Sequence, residues 1–185
     1  MDFNDHSKLV GLHSFLSASN YHWTNYTQDQ LVERYRTSQA ATRGTALHAL
    51  ANDLITLGVR LPKTKSTMNA YVNDAIGFKM IPEQVLFYSP NCFGTADTIS
   101  FRNGKLRIHD LKTGVIPGKV RQLEVYTAMF CLEYDFKPSE IDIELRIYQS
   151  DEIVFHIPEL DTLVRIMDQI VTFDKIIEKL KESEG

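Results

Sequence analysis

Cysteine is scarce in this 185-residue chain, which has only Cys92 and Cys131. Two thiols cannot build a disulfide framework, a four-cysteine zinc site or an iron–sulfur cluster, so both read as buried free thiols. Long hydrophobic runs are missing too. No apolar stretch approaches the ~20 residues that span a bilayer. The N-terminal MDFNDHSKL lacks the basic-then-apolar pattern of a secretory signal. A cytoplasmic setting with no membrane partner is therefore expected. Positive charge is not in excess: the formal net charge is −4. That excludes a charge-driven nucleic-acid coat protein, though not an enzyme that meets nucleic acid through metal ions and a local basic rim. Internal repeats, low-complexity tracts and long linkers are absent as well. The length suits a single domain over 1–185 with a sizeable core.

What is present is a patterned order of elements. Thr27 is placed to N-cap a helix over about 28–38. A second helix is expected over about 42–57, with Leu47, Leu50, Leu54 and Ile55 as its apolar stripe and Gly58 as its stop. A third covers about 67–78. Strands are expected at about 84–88, 94–102 and 105–112, then a helix over 120–133. Alternating segments at 141–148 and 153–157 form a second hairpin. A last helix runs from about 158 to 181, with Pro158 in its first turn. Its apolar stripe is broad, which implies burial on more than one side or packing on a partner, a homo-oligomer included. The expected fold class is α/β: a mainly helical part (1–80), a sheet core with one inserted helix (81–157) and a C-terminal helix (158–185).

The richest stretch is Phe93–Gly114, FGTADTISFRNGKLRIHDLKTG. Asn103-Gly104 is a strong type I′ hairpin signal. It sets a register in which Arg102 faces Lys105, Phe101 faces Leu106, Ile99 faces Ile108 and Asp97 faces Asp110. Alternation puts Asp97, Ile99, Phe101, Leu106, Ile108, Asp110 and Lys112 on one face, the core face. Thr98, Ser100, Arg102, Lys105, Arg107 and His109 fall on the other, and Arg102, Lys105 and Arg107 read there equally well as a solvated strand face. The core face ends in two carboxylates and an ammonium. Opposed side chains have Cβ atoms roughly 4.5–5.5 Å apart, where like charges repel. A divalent cation with oxygen ligands, Mg²⁺ or Mn²⁺, is the natural partner for such a pair. Glu83 reads as an exposed strand start. Tyr21, His22, Trp23 and Tyr26 read as packing residues rather than a base-stacking platform.

Four segments in order resemble the PD-(D/E)XK nuclease superfamily, specifically its RecB-like exonuclease branch. They are R-G-T-A-L-H (Arg43–His48), G-T-A-D (Gly94–Asp97), D-L-K-T-G (Asp110–Gly114) and Q-x-x-x-Y (Gln122–Tyr126). The resemblance covers about 42–126. It implies a restriction-endonuclease-like mixed sheet flanked by helices, with an N-terminal helical segment. It also implies a metal-dependent deoxyribonuclease, an exonuclease acting in recombination, repair or phage DNA processing. Asp97, Asp110 and Lys112 would be catalytic. His48, Asp97, Asp110 and the Leu111 backbone carbonyl would hold Mg²⁺ or Mn²⁺. Gln122 and Tyr126 would brace the site or contact the nucleic-acid backbone, together with Thr113, Lys119 and Arg121. Cluster-bearing subgroups of the branch use four cysteines, which this chain lacks, so a phage-type stand-alone nuclease without an iron–sulfur cluster fits better. The implied partners are DNA and, by analogy, an annealing protein or helicase; if phage-encoded, the setting is the host cytoplasm. The alternative keeps the fold without the chemistry: a catalytically silent module that binds nucleic acid or a protein partner.

Overall fold

The computed structural model describes Lys8 and residues 14–19, 21–114 and 116–184; the remainder of 1–13, Asn20, Val115 and Gly185 lie outside the described residues. The chain divides into two compact units, Met1–Arg43 and Gly44–Gly185. The boundary falls inside the first long helix, α1 (Gln28–Leu57).

Two helices were expected where α1 is one. Nothing between Ser38 and Gly44 breaks a helix, and Ala40 and Ala41 are the best helix formers. Its start is as expected. The Gln30 N–H donates to Thr27 Oγ1 (3.2 Å) and the Thr27 N–H donates to Gln30 Oε1 (2.9 Å), a reciprocal cap. The buried residues of α1 are Gly44, Ala51 and Ile55. Leu50, assigned to the apolar stripe from the sequence, is 48% exposed. The face that packs is thus built of small residues, and His48 shares it.

Helix α2 (Thr67–Gly77) follows, then strands β1 (Ile81–Ser89), β2 (Cys92–Arg102) and β3 (Lys105–Lys112), helix α3 (Val120–Glu133), strands β4 (Asp142–Gln149) and β5 (Glu152–His156), and helix α4 (Leu160–Glu184). The strands form one mixed sheet in the order β1-β2-β3-β4-β5, with only the β3–β4 pair parallel. Helix α3 makes that crossover, as a parallel connection requires. The fold class is therefore α/β, a five-stranded mixed sheet flanked by helices. Strand β1 begins earlier than expected, at Ile81, because Pro82 is tolerated on an edge strand. Helix α4 begins at Leu160, so Pro158 precedes it.

Each sheet face carries a core. On one, Ile99, Leu106, Ile108, Leu145 and Ile147 pack with Leu123, Met129 and Phe130 of α3 and Leu163 of α4. On the other, Leu111 and Tyr148 pack with Ala51 and Ile55 of α1 and Tyr71, Val72 and Ala75 of α2. The strand face read as solvated is thus partly covered: Thr98, Ser100 and His109 are buried, while Arg102 stays exposed. Its polar groups are held by a network. The Tyr148 hydroxyl donates to Asp74 Oδ2 (2.7 Å), Arg146 Nη1 donates to the same oxygen (2.9 Å), and His109 Nδ1 lies 3.3 Å from Tyr148 Oη.

Helix α4 is not buried on more than one side. Leu163 and Ile166 enter the core, whereas Phe173, Ile176 and Leu180 are exposed. Its C-terminal half is tied to the β1–β2 turn, where Asn91 Nδ2 donates to Asp174 (2.8 Å) and Lys181 donates to Asn91 (2.6 Å). Both cysteines are free, Cys131 buried and Cys92 half-buried. Among the described residues no helix is long and apolar enough to cross a membrane.

Candidate active site

The hairpin sets the site. Asn103 (φ 52°) and Gly104 (φ 73°) take the left-handed conformations of a type I′ turn. The ladder then runs without a bulge from Arg102↔Lys105 through Phe101↔Leu106 and Ile99↔Ile108 to Thr98↔His109. Asp97 and Asp110 are the next residues along the two strands, and Asp110 falls on the α3 face with Leu106 and Ile108. Asp110 is almost fully buried, at 2% exposure. Its Oδ1 accepts from Lys112 Nζ at 3.0 Å, and its Oδ2 has no hydrogen-bond partner among the described residues. Asp97 Oδ2 accepts the Leu111 N–H at 3.0 Å, linking the two strands beyond the regular ladder.

Helices complete the group from both faces. Gly44, Ala51 and Ile55 seat α1 and bring His48 Nδ1 to 3.5 Å from Asp97 Oδ2. The approach at Gly44 is close: a Cβ there would lie 2.7 Å from Thr113 Oγ1. From α3, Gln122 Oε1 accepts from Lys112 Nζ (3.2 Å) and Gln122 Nε2 donates to the Tyr126 hydroxyl (3.2 Å). Gly94 makes room for that tyrosine, since a Cβ would meet its ring at 3.0 Å. Gly118 does the same beside Lys112, whose Cγ would lie 3.0 Å from an added Cβ.

The structure therefore gathers His48, Asp97, Asp110, Leu111, Lys112, Gln122 and Tyr126, with Thr113 alongside. Leu111 turns its side chain into the core on the α1/α2 face. Arg121 lies elsewhere. It is 57% exposed and pairs at 3.0 Å with Glu124, which also binds His156 at 2.9 Å. Lys119 is exposed just before α3, where its carbonyl accepts the Gln122 N–H (3.2 Å).

Two residues near the group were not assigned to it from sequence. Tyr71 of α2 is buried, and burial, with Asp97 adding, pushes its phenol well above the ordinary value. Nothing in its local sequence marks it. Glu83 is exposed, as expected, but it sits between the rungs Pro82↔Thr98 and Gln84↔Ala96, opposite Asp97. Its φ of 51° is unusual for a non-glycine residue within a strand.

Electrostatically the site is strained. Burial, then the Asp110 charge, raises the Asp97 carboxyl from its ordinary 3.8 to about 6, against the Leu111 N–H, His48 and Lys112, which lower it. A buried carboxylate oxygen without a partner costs about 1–3 kcal/mol. Among the described residues no three Asp, Glu, His or Cys side chains close into an ion cage. The donor set is instead open, with two carboxylates and an imidazole nitrogen, and Lys112 neutralises one side of Asp110. The lone oxygen of Asp110 and the repulsion felt by Asp97 both fit a hard divalent cation.

No family model matches the chain, and no curated protein matches it. Among solved structures, one designated SSO0001 aligns with a TM-score of 0.32 and 12% identity, over 58% of this chain and 57% of its own. The chain thus spans little more than half the length of that protein, and a likeness this slight does not indicate a shared fold.

Proposed function

We propose that this chain is a metal-dependent deoxyribonuclease of the PD-(D/E)XK type, a RecB-like exonuclease without an iron–sulfur cluster. The observation that carries the reading is the pair Asp97, half-buried, and Asp110, buried, at the end of one hairpin with Lys112 3.0 Å from Asp110. A fold gains nothing in stability from a repelling carboxylate pair, so such a pair points to function. Mg²⁺ or Mn²⁺ held by Asp97, Asp110, His48 and the Leu111 carbonyl would supply the Lewis acidity and the acidified water of phosphodiester hydrolysis.

The protein's own groups do the positioning. Lys112 holds an ammonium beside Asp110, where it can orient the attacking water and offset charge gathering on the phosphate. Gln122 fixes that ammonium through its Oε1 and is itself fixed by Tyr126, so the lysine is aimed by a two-residue relay on α3. The Leu111 N–H keeps Asp97 Oδ2 in place, and His48 approaches the same oxygen.

The test is conversion of linear duplex or single-stranded DNA to acid-soluble nucleotides by the purified chain. Cleavage in Mg²⁺ or Mn²⁺ that EDTA abolishes is the expected result. No cleavage by folded protein in either metal, on either substrate, would overturn the reading in favour of a silent module that binds nucleic acid or a protein.

A further inference from the structure

At the opposite end of the same hairpin lies a cleft of about 460 Å³ that the nuclease reading does not use. Gly77, Phe78 and Lys79 at the end of α2 form one wall. Arg102, Asn103, Lys105 and Arg107 of the hairpin, with Asp142, form the rest. Four cations thus face one carboxylate, on a protein whose net charge is −4. The carboxyl pair lies about 17–20 Å away along the strands, at ~3.3 Å per residue.

We propose that this cleft binds a phosphate group. Its arginine is already fixed in place. The Arg107 guanidinium lies 4.4 Å from the centre of the Phe78 ring, which also carries Arg146 at 5.0 Å. Cation–π contact holds a guanidinium without consuming its N–H donors. Positive charge here outruns its partners. Glu144 is shared by Lys105 (2.7 Å), Arg146 (2.6 Å) and Arg107 (3.6 Å), and of these three Arg146 also pairs with Asp74 (2.9 Å), so two carboxylates serve three cations. Lys79 and Arg102 have no ion-pair partner among the described residues. One buried donor of the cleft wall is also left without a hydrogen bond. Arg107 Nε is buried and makes no hydrogen bond, with Glu144 Oε1 3.6 Å away, beyond hydrogen-bond reach. A buried donor left unpaired is destabilising, and a tetrahedral oxyanion accepts from several donors at once. Such a phosphate could belong to a nucleic-acid backbone or to a free small molecule, and the two sources are separable by experiment.

The test uses the full chain in EDTA, where the metal-free carboxyl pair repels anions and leaves this cleft as the anion site. Inorganic phosphate is titrated while backbone amide resonances are followed. Saturable shifts at Gly77, Lys79 and Asn103, lost in Lys79→Gln/Arg102→Gln, are expected. Both side chains are unpaired, so the variant should fold, and unchanged amide dispersion elsewhere verifies it. A labelled 20-base-pair duplex is then titrated by anisotropy. A fivefold or greater loss of affinity in the variant, with the salt slope lowered by about 1–2, would assign the phosphate to a nucleic-acid backbone. Phosphate shifts with unchanged duplex binding would assign it to a free phosphate ligand. No saturable shifts with phosphate, together with identical duplex binding by wild type and variant, would overturn the proposal. That outcome is independent of whether the chain cleaves DNA in metal.

Discussion

Replacing Asp97 with asparagine should stabilise the metal-free protein. Folding raises the Asp97 carboxyl from 3.8 to about 6, through burial first and Asp110 second. A group that holds its proton more tightly when folded favours the fold at low pH. That contribution is complete below about pH 4 and is lost as pH rises through 6. At about 1.4 kcal/mol per pH unit the loss reaches roughly 3 kcal/mol at pH 7. The side chain is 22% exposed, and solvent screening trims the figure to about 1–2 kcal/mol. Asparagine keeps an oxygen for the Leu111 N–H and discards the charge. For a chain of this size 1 kcal/mol moves the melting temperature by about 2–4 °C, so Asp97→Asn should melt about 3–8 °C above wild type in EDTA at pH 7.5. The gap should close by about pH 4. Saturating Mn²⁺ should raise the wild type, by about 2.7 kcal/mol at a hundredfold excess over Kd, and not the variant. Thermal melts from pH 4 to 8, with EDTA or Mn²⁺, read all of this. A variant that melts at or below wild type at pH 7.5, with no dependence on pH, would refute the reasoning.

Further outcomes follow from the packing. Gly44→Ala places a methyl 2.7 Å from Thr113 Oγ1, so its helix-propensity gain of about 1 kcal/mol should be cancelled. In a Thr113→Ala background the next Thr113 atom, Cβ at 3.9 Å, no longer interferes, and the gain should reappear as coupling in a double-mutant melt. Tyr148→Phe removes the donor to Asp74 and the neighbour of His109. It should cost about 1–3 kcal/mol in denaturant titration while leaving cleavage at saturating DNA unchanged, because the network lies on the opposite sheet face from Asp110.

Much of this arrangement was legible in the sequence, for local reasons. Asn103-Gly104 fixes a two-residue turn, and the register it sets holds from Arg102↔Lys105 to Thr98↔His109, which leaves Asp97 and Asp110 as the next residues on the two strands; strict alternation does not carry through Asp97, because Ala96 and Ile99 both face the same core. The i, i+4 spacing of Gln122 and Tyr126 places them together on α3 in the same way. The illegible parts depend on distant segments. Burial of Thr98, Ser100 and His109 requires distant segments: His109 meets the network that Tyr148 forms with Asp74, far away in sequence, and Thr98 bonds the His109 carbonyl. Tyr71 reaches the carboxylates by the same route. Helix α1 is continuous through Ser38–Gly44, where tertiary packing asks of Gly44 only that it be small.

The most direct test of the central claim is an end-labelled DNA assay with wild type, Asp110→Ala and Lys112→Ala side by side. Duplex and single-stranded substrates are incubated in Mn²⁺, Mg²⁺ or EDTA, with Mn²⁺ affinity measured in parallel. The account requires metal-dependent release of label by wild type and at least a hundredfold loss in both variants. Mn²⁺ binding should be lost in Asp110→Ala and kept in Lys112→Ala. Equal cleavage by all three proteins, or none by folded wild type in any metal, would contradict it.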